Sequence, residues 1–539
     1  MPPPALPHLI HELTVLQERE GWLSEASLRS LAERLGVPLH RLESVSTFYT
    51  HFRRQPPASA CVEVCRDLPC ALAGGAEALV ALRPHFESGD AVEIREVSCL
   101  GRCDRAPAAC VGHRVVRSDD PVDVSAAIAG EAASTPLPTA RWAADPYGAE
   151  ADHYGALRQA IGCSAEETLA TLEATGLRGM GGAGFPLARK WSIVRAEEAT
   201  PKYVICNADE SEPGTFKDRQ ILADLPHLVI EGMALGGFCV GAERGTVFIR
   251  HEYGPERESL ERAIVAAREV GALGENIFGS GFSFDIDIFV SPGGYILGEE
   301  TALLECMEGR RGEPRNKPPF PGSVGLFGQP TLINNVETLA HAAAITARGA
   351  DWWQSLGTRG KAGHKFMAVS GDVAKPQVVL VGFGTTLAEL LGRCGGMREG
   401  KELAAVAPGG ASSKFLGPDK LETPLDFSDL AEAGSMLGSG AAIFVAKGRD
   451  LLEVGLNVAR FFRNESCGKC VPCRLGTQKA VALVEQAGGT TPEVEELLGE
   501  LDLTLQETSI CGLGQVALAP LRSVIERFPD QIRRDTTRD

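Results

Sequence analysis

Apolar residues at helical spacing open the chain. His11-Glu-Leu-Thr-Val-Leu-Gln-Glu-Arg and Ser27-Leu-Arg-Ser-Leu-Ala-Glu-Arg-Leu set leucines three and four residues apart and predict a helical segment over 1 to about 55. The period then changes. Cys61-Val-Glu-Val and Ala91-Val-Glu-Ile-Arg-Glu-Val alternate as strands do, so 56 to about 120 reads as mixed strands and helices. A polar, Ala- and Pro-rich stretch from 121 to 155, containing Ser134-Thr-Pro-Leu-Pro, reads as a linker. Beyond it, helical composition over Ala165-Glu-Glu-Thr-Leu-Ala-Thr-Leu-Glu-Ala is followed by the buried-strand run Lys202-Tyr-Val-Ile-Cys206 and the strand Phe284-Asp-Ile-Asp-Ile-Phe-Val290, giving an α/β unit over 156 to 355. Gln377-Val-Val-Leu-Val and Thr385-Thr-Leu-Ala-Glu-Leu-Leu place a strand before a helix within 366 to 427. Residues 430 to 539 read as helical. No internal repeat is visible.

Length agrees with this multidomain α/β layout, because 539 residues at roughly 150 per domain make three to four domains. Charge narrows the function. With 53 Lys plus Arg against 71 Asp plus Glu, the net charge of −18 provides no overall basic field for nucleic acid or anionic lipid. No apolar run approaches the roughly 18 residues of a membrane helix, so direct membrane insertion is not expected. The start lacks a basic region followed by a sustained apolar stretch, and 15 cysteines is an odd number. Both facts point to a reducing, cytoplasmic compartment in which clustered cysteines mean metal or redox cofactors.

Six cysteines fall within 61 to 110 and four within 467 to 511. In the first group Cys65-Arg-Asp-Leu-Pro-Cys70 and Cys99-Leu-Gly-Arg-Cys103 each follow a strand, so two short pairs bring four thiolates together. Their gaps of four and three residues are looser than the two-residue knuckle of structural zinc, which favours iron–sulfur and leaves zinc as the alternative. Cys61 and Cys110 break the pairing and read as bystanders. In the second group Cys467-Gly-Lys-Cys470-Val-Pro-Cys473 offers three thiolates from one loop, and Cys511 arrives from a distant segment. That is the pattern of a cubane [4Fe–4S] cluster. The remaining scattered cysteines read as small buried hydrophobes.

Between the groups lies Gly179-Met-Gly181-Gly182-Ala-Gly184-Phe185-Pro186. It satisfies G-x-G-x-x-G, but a helix precedes it where a dinucleotide fingerprint needs a strand. What remains is a loop whose backbone amides can close on a phosphate or a flat ring, with Arg178 and Lys190 adding charge; an ordinary tight turn is the alternative. Three further polar loops follow apolar runs: Asn207-Ala-Asp209-Glu210-Ser-Glu212, Gly293-Gly-Tyr-Ile-Leu-Gly298-Glu299-Glu300-Thr301, and Asn334-Asn335. Polar groups at strand ends are where α/β folds bind ligands.

The stretches 181–186, 207–219, 298–305, Lys317-Pro-Pro-Phe320-Pro and 465–474 resemble the FMN-containing, NADH-oxidising subunit of respiratory complex I and its soluble relatives. Residues 1 to about 120, with Val45-Ser-Thr-Phe48-Tyr49 and the first cysteine group, resemble that family's separate small [2Fe–2S] subunit. The resemblance implies a thioredoxin-like domain over 56–120, a small ubiquitin-like domain over 366–427 and a cubane-bearing helical bundle over 430–539. It assigns FMN to Gly179, Gly181, Gly182, Lys190, Asn207, Asp209, Glu210, Glu299, Asn334 and Asn335, and NAD(H) to Phe185, Glu212, Glu300, Lys317 and Phe320. It assigns one [2Fe–2S] cluster to Cys65, Cys70, Cys99 and Cys103, and one [4Fe–4S] cluster to Cys467, Cys470, Cys473 and Cys511. Met180 stands where the complex I pattern usually has Arg, and Leu187-Ala188 where Thr-Gly is common; the lost charge bears on flavin potential and phosphate contacts.

The implied chemistry is exchange of hydride between NAD(H) and FMN, and of single electrons between FMN and the clusters, with no side-chain acid or base as catalyst. The [2Fe–2S] centre is expected off the main line. The chain has no second-substrate site of its own, so it is expected to be the diaphorase half of an enzyme. Fusion of both subunit-sized parts, together with Met180 and the 207–212 loop, looks most similar to the beta subunit of NAD-dependent formate dehydrogenase. Its expected partner is then a molybdenum- or tungsten-pterin catalytic alpha subunit with its own iron–sulfur clusters. A diaphorase subunit of an NAD-reducing hydrogenase and a fused complex I flavoprotein are the alternatives.

Overall fold

The computed structural model describes residues 9–86, 92–112, 114–131 and 141–532. Three four-stranded sheets organise it. The first comprises β1 (Ala60–Cys65), β2 (Val92–Val97), β3 (Ala108–Val111) and β4 (Arg114–Arg117) in the order β2-β1-β3-β4; β1 and β2 are parallel, and the other pairs antiparallel. Ahead of it come helices Leu9–Glu20, Glu25–Leu35 and Leu39–Ser46. Their buried Leu13, Leu28 and Leu42 join a core shared with Leu303 and Leu304 of the central domain, and the Tyr49 hydroxyl donates to the Arg310 carbonyl (2.6 Å). The helical segment is therefore packed on the central domain.

The second sheet comprises β5 (Tyr203–Ala208), β6 (Arg244–Arg250), β7 (Asp285–Ser291) and β8 (Thr331–Asn335) in the order β7-β6-β5-β8, all parallel. The inner strands β5 and β6 carry the uninterrupted apolar runs Val204-Ile205-Cys206 and Val247-Phe248-Ile249 of a sheet covered on both faces, whereas the edge strand β7 alternates, with Asp285 exposed and Ile286 buried. One covering helix, Pro226–Val240, is buried along almost its whole length. Together with Lys217–Asp224 it forms a bent apolar pair; no single helix among the described residues is long and apolar enough to cross a membrane.

The third sheet comprises β9 (His364–Gly371), β10 (Gln377–Gly382), β11 (Leu403–Ala407) and β12 (Ala441–Ala446) in the order β10-β9-β12-β11, with parallel central strands and antiparallel outer pairs. Helix Leu387–Arg393 packs beside it behind a capping box of Thr386 and Glu389. That is a ubiquitin-like arrangement, and its last strand extends beyond the expected boundary at 427. Helices Leu451–Asn464, Val471–Ala487, Pro492–Thr508 and Ala519–Arg527 form the terminal bundle. Within the stretch expected to be linker the chain forms helix Pro121–Ile128, capped by the Asp120 carboxylate and packed through Val124 on the first sheet; a proline at the first helical position starts this helix rather than breaking one. Ser134-Thr-Pro-Leu-Pro lies outside the described residues.

Candidate flavin and iron–sulfur sites

The order β7-β6-β5-β8 reverses direction between β5 and β8, so a crevice opens beyond the carboxyl ends of those two strands. Asn207 and Asn335 are register partners at that end, as are Cys206 and Asn334. The 207–219 loop, the 291–299 loop and the asparagine pair thus come to one edge of the sheet, as do Arg250 and Glu252 after β6. The glycine loop reaches the same place. Gly179 N–H donates to the Phe185 carbonyl (2.9 Å), Met180 N–H donates to Thr338 Oγ1 (2.8 Å), and a Cβ built on Gly181 would lie 3.0 Å from that of Asn335. Gly182 has φ +117°, a conformation that side-chain-bearing residues rarely adopt.

Each polar residue there has a structural engagement that leaves some of it free. Lys190 Nζ donates to the Ile333 carbonyl (3.1 Å); burial lowers its pKa, with Glu300 opposing. A half-buried ammonium whose hydrogen-bond partner is a single neutral carbonyl suits an anionic neighbour such as a phosphate. Asn207 Nδ2 donates to the Gly298 carbonyl (2.8 Å), Asn334 Oδ1 accepts from the Trp191 indole (2.9 Å), and Asn335 caps helix Val336–Arg348 while its Nδ2 donates to Asp218 (2.6 Å). Glu299 caps helix Glu300–Met307, and Lys317 Nζ bridges Glu299 (2.8 Å) and Glu300 (3.1 Å). The rings of Phe185 and Phe320 are both exposed. This donor set, with its glycine cradle, fits a phosphate-bearing flavin.

Two acids behave differently from the rest. Both Glu210 oxygens accept backbone amides, from Asp218 (2.8 Å) and Arg219 (3.0 Å), and the Tyr253 hydroxyl adds a third bond, so this carboxylate orders the loop rather than facing the crevice. Asp209 is buried, with hydroxyl bonds from Ser211 and Ser291; burial pushes its carboxyl up to about 7. A raised carboxyl pKa means stability that is complete below the unfolded value near 4 and lost as pH rises through about 7. Asp209→Asn should therefore flatten the fall in melting temperature of the flavin-free protein between pH 5 and 8; an unaltered slope would show that Asp209 is ionised throughout.

Some residues at the site were not legible in the chain. Glu212 is held by Ser412, through its backbone N–H (2.8 Å) and hydroxyl (2.6 Å), and by the Ser439 hydroxyl (3.2 Å), all from the ubiquitin-like domain. Gly410, at φ +90°, passes so close to Glu212 that a Cβ would lie 2.7 Å from its carboxylate. Beneath Met180, which is 1% exposed, Lys365 Nζ donates to the Met180 carbonyl (3.2 Å) and lies 3.8 Å from its sulfur. A cation from β9 thus approaches the position where the related pattern carries Arg. Arg178, expected to add charge, instead donates to the Gly184 carbonyl (2.6 Å) and stacks on Phe427.

Four of the six cysteines in the first group converge. Cys65, Cys70, Cys99 and Cys103 are all buried; Cys99 and Cys103 sulfurs are 3.5 Å apart, and Cys65 is raised by hydrogen bonding with Cys70 and Cys99. Backbone amides of Gly101, Ala108 and Gly214 point at three of the sulfurs (each 3.4 Å), the environment a thiolate-bound cluster requires. Gly214 belongs to the 207–219 loop, so this cysteine pocket abuts the crevice beyond β5 and β8. Cys61 is half-buried and Cys110 donates to the Gly112 carbonyl (3.1 Å). In the bundle, Cys470 and Cys511 occupy the N-caps of helices Val471–Ala487 and Gly512–Val516, with Cys473 in the first turn of the former. Two helix amino ends therefore face the sulfurs. Without iron, burial pushes the thiols of Cys473 to about 12 and Cys511 to about 11; metal binding must displace those protons. Glu465 ties the centres together, accepting from the Ser98 hydroxyl beside Cys99 and from Tyr295 N–H (2.8 Å).

Known proteins share these parts. Residues 5–131 match a thioredoxin-like [2Fe-2S] ferredoxin family, 172–344 the Nuo51 FMN-binding domain, 365–445 the SLBB domain, and 453–535 the NADH-ubiquinone oxidoreductase-F iron-sulfur binding region. The chain is 40% identical over 392 residues to the F subunit of the NADH-quinone oxidoreductase of Salmonella typhimurium, covering 72% of this chain and 88% of that one. It is 40% identical over 382 residues to the NADP-reducing hydrogenase subunit HndC of Solidesulfovibrio fructosivorans, covering 70% and 78%. An air-oxidised NAD+-reducing [NiFe]-hydrogenase chain superposes with a TM-score of 0.84 at 30% identity, covering 97% of this chain and 93% of that one.

Proposed function

The chain belongs to the F-subunit family of NADH-quinone oxidoreductases, whose parts bind FMN and iron–sulfur clusters, and from that premise we propose that it is the fused diaphorase subunit of a soluble NAD-linked oxidoreductase, exchanging electrons between NAD(H) and a separate catalytic subunit. The observation that carries this reading is the convergence of the glycine loop, the 207–219 loop and the asparagine pair beyond β5 and β8, with Cys65, Cys70, Cys99 and Cys103 directly behind. When bound, FMN supplies the exchange between two-electron and one-electron chemistry, and the clusters supply one-electron carriage.

The chain's own residues position and shield. Gly179, Gly181 and Gly182 would admit the flavin closely, Lys190 would balance its phosphate, and Asn207, Asp209, Glu299, Asn334 and Asn335 would hold its polar edges. Phe185 and Phe320 would stack on the dinucleotide, whose polar groups would meet Glu212, Glu300 and Lys317. Glu210 would act through the loop it caps, and Lys365 would offset the positive charge missing at Met180.

For the partner we favour a molybdenum- or tungsten-pterin formate dehydrogenase subunit, supported by the fused layout and the 207–212 loop with Met180. The hydrogenase reading is favoured by a different observation, the likeness that runs across both halves of this chain. Co-purification followed by parallel assays separates them. Formate-dependent NAD+ reduction by the isolated complex is expected; hydrogen-dependent reduction without it would replace the formate reading, and absence of NADH:ferricyanide turnover in the flavin-loaded chain would overturn the diaphorase reading itself.

A further inference from the structure

Away from the flavin crevice, three metal-ligating side chains meet at the amino end of helix Pro226–Val240. His227 is the second residue of that helix. Asp145 sits in the turn after Trp142, and His153 precedes helix Gly155–Gly162. Their ligand atoms all lie within 4.8 Å of one another. His227 Nε2 is 3.4 Å from Asp145 Oδ1, which is the edge of a tetrahedron built on metal–ligand bonds of about 2.0–2.1 Å.

The two imidazoles are stacked parallel, with centroids 3.8 Å apart and an interplanar angle of 0°, so their nitrogen lone pairs lie in parallel planes and one ring must turn about its Cβ–Cγ bond for both to share an ion. A histidine–aspartate ion pair needs only one of them. The His153 ring packs against His227 and lies 5.6 Å from the Tyr147 ring, and these contacts bring its ligand atom within 4.8 Å of those of Asp145 and His227. Asp145 is oriented from behind: its Oδ1 accepts from Tyr147 N–H (3.0 Å) and its backbone carbonyl accepts from Arg348 (3.1 Å). Tyr147 is in turn fixed by the buried Glu231, one helical turn beyond His227 (2.8 and 2.9 Å). Metal-ligating side chains held by such outer partners are the usual construction of a binding site.

We propose that Asp145, His153 and His227 bind a divalent ion of the zinc class, with water completing the coordination on the solvent side. Two imidazoles and one carboxylate suit Zn²⁺ and disfavour Ca²⁺ and Mg²⁺, which need oxygen ligands in greater number. The ion would pin the segment 141–155, which brings the chain in from the [2Fe–2S] half, onto a helix that backs the flavin sheet. Its role is structural and separate from electron transfer.

The test uses full-length holoprotein, cleared of loosely held divalent ions by chelation that leaves flavin and iron contents unchanged, and titrated with Co²⁺ and then Zn²⁺. One Co²⁺ per chain is expected, with ligand-field absorption and without the thiolate charge transfer of a cysteine site. Zn²⁺ should displace it and raise the melting temperature. His153→Ala and Asp145→Asn should each weaken binding by roughly 100-fold or more and abolish the thermal shift, at unchanged flavin and iron content and NADH:ferricyanide activity. His153→Asn serves if the alanine variant does not fold. No saturable binding, binding unaffected by these substitutions, or thiolate charge transfer would overturn the proposal.

Discussion

Exchange of Cys473 for serine removes the cubane and disconnects the chain from its partner, while NADH oxidation by a flavin-level acceptor continues. The sulfur is buried in the first turn of helix Val471–Ala487, with Ser466 Oγ at 3.2 Å, and a Cβ built on Gly514 would lie 3.1 Å from the Cys473 Cβ. A hydroxyl nearly fills that space, so the bundle should fold. Oxygen is a hard, neutral ligand at this pH and does not replace thiolate on iron. Four fewer irons per chain and a partner-linked rate reduced roughly 100-fold or more are expected, since even outer-sphere changes at metal sites cost 10–100-fold. Iron analysis and the ratio of partner-linked to ferricyanide-linked rates measure both; an unchanged ratio would show that electrons do not leave through this centre.

Glu337→Leu is expected to be the most destabilising change near the flavin. Its side chain is fully buried and accepts from Lys217 (3.0 Å), Lys365 (3.0 Å) and Phe366 N–H (2.8 Å). Burial would raise this carboxyl, but Lys365 and Lys217 overcome that and hold it far below the usual range. One carboxylate serves two ammonium groups, and the second is the less well served: burial lowers Lys365 to about 8, whereas Lys217 keeps the Asp218 carboxylate as well and is raised. Removing the shared anion strands Lys365 in the interior and leaves Lys217 with Asp218 alone, at a cost of about 3–5 kcal/mol. Because the carboxyl pKa is depressed, its contribution is complete above the unfolded value near 4.3 and lost as pH falls below it. The urea midpoint at pH 7 should drop while the difference from the parent shrinks toward pH 3. Flavin retained after gel filtration should fall too, since Lys365 supports Met180; equal midpoints at pH 7 would refute the account.

Reading the chain alone went far because the chemistry sits in short, local patterns. The cysteine spacings are local, and so are the loops that end β5 and β8; the structure brings Cys99 and Cys103 within 3.5 Å and sets Cys65 beside Cys70 and Cys99. What was hidden is what arrives from far along the chain. Ser412 and Ser439 reach Glu212 across some 200 residues, and no periodicity marks a serine for that task. Lys365 looks like an ordinary strand residue until β9 is laid beneath Met180. Arg178 and Glu210 were legible as charges but not as parts already engaged, because a sequence does not say which hydrogen bonds a loop spends on itself. The helix at 121–128 was missed because Ala and Pro were read as linker composition, although Asp120-Pro121 is an effective helix start.

The Glu465 carboxylate, which receives Ser98 from the thioredoxin-like half and Tyr295 from the flavin half, lies two residues before Cys467. One side chain therefore links loops of all three proposed redox centres. Ordering any one of those loops lowers the entropic cost of ordering the other two. Cofactor loading during biogenesis should then be cooperative, with flavin-loaded chains acquiring iron more readily than empty ones, and a chain carrying both halves in one polypeptide keeps that link without a separate association step.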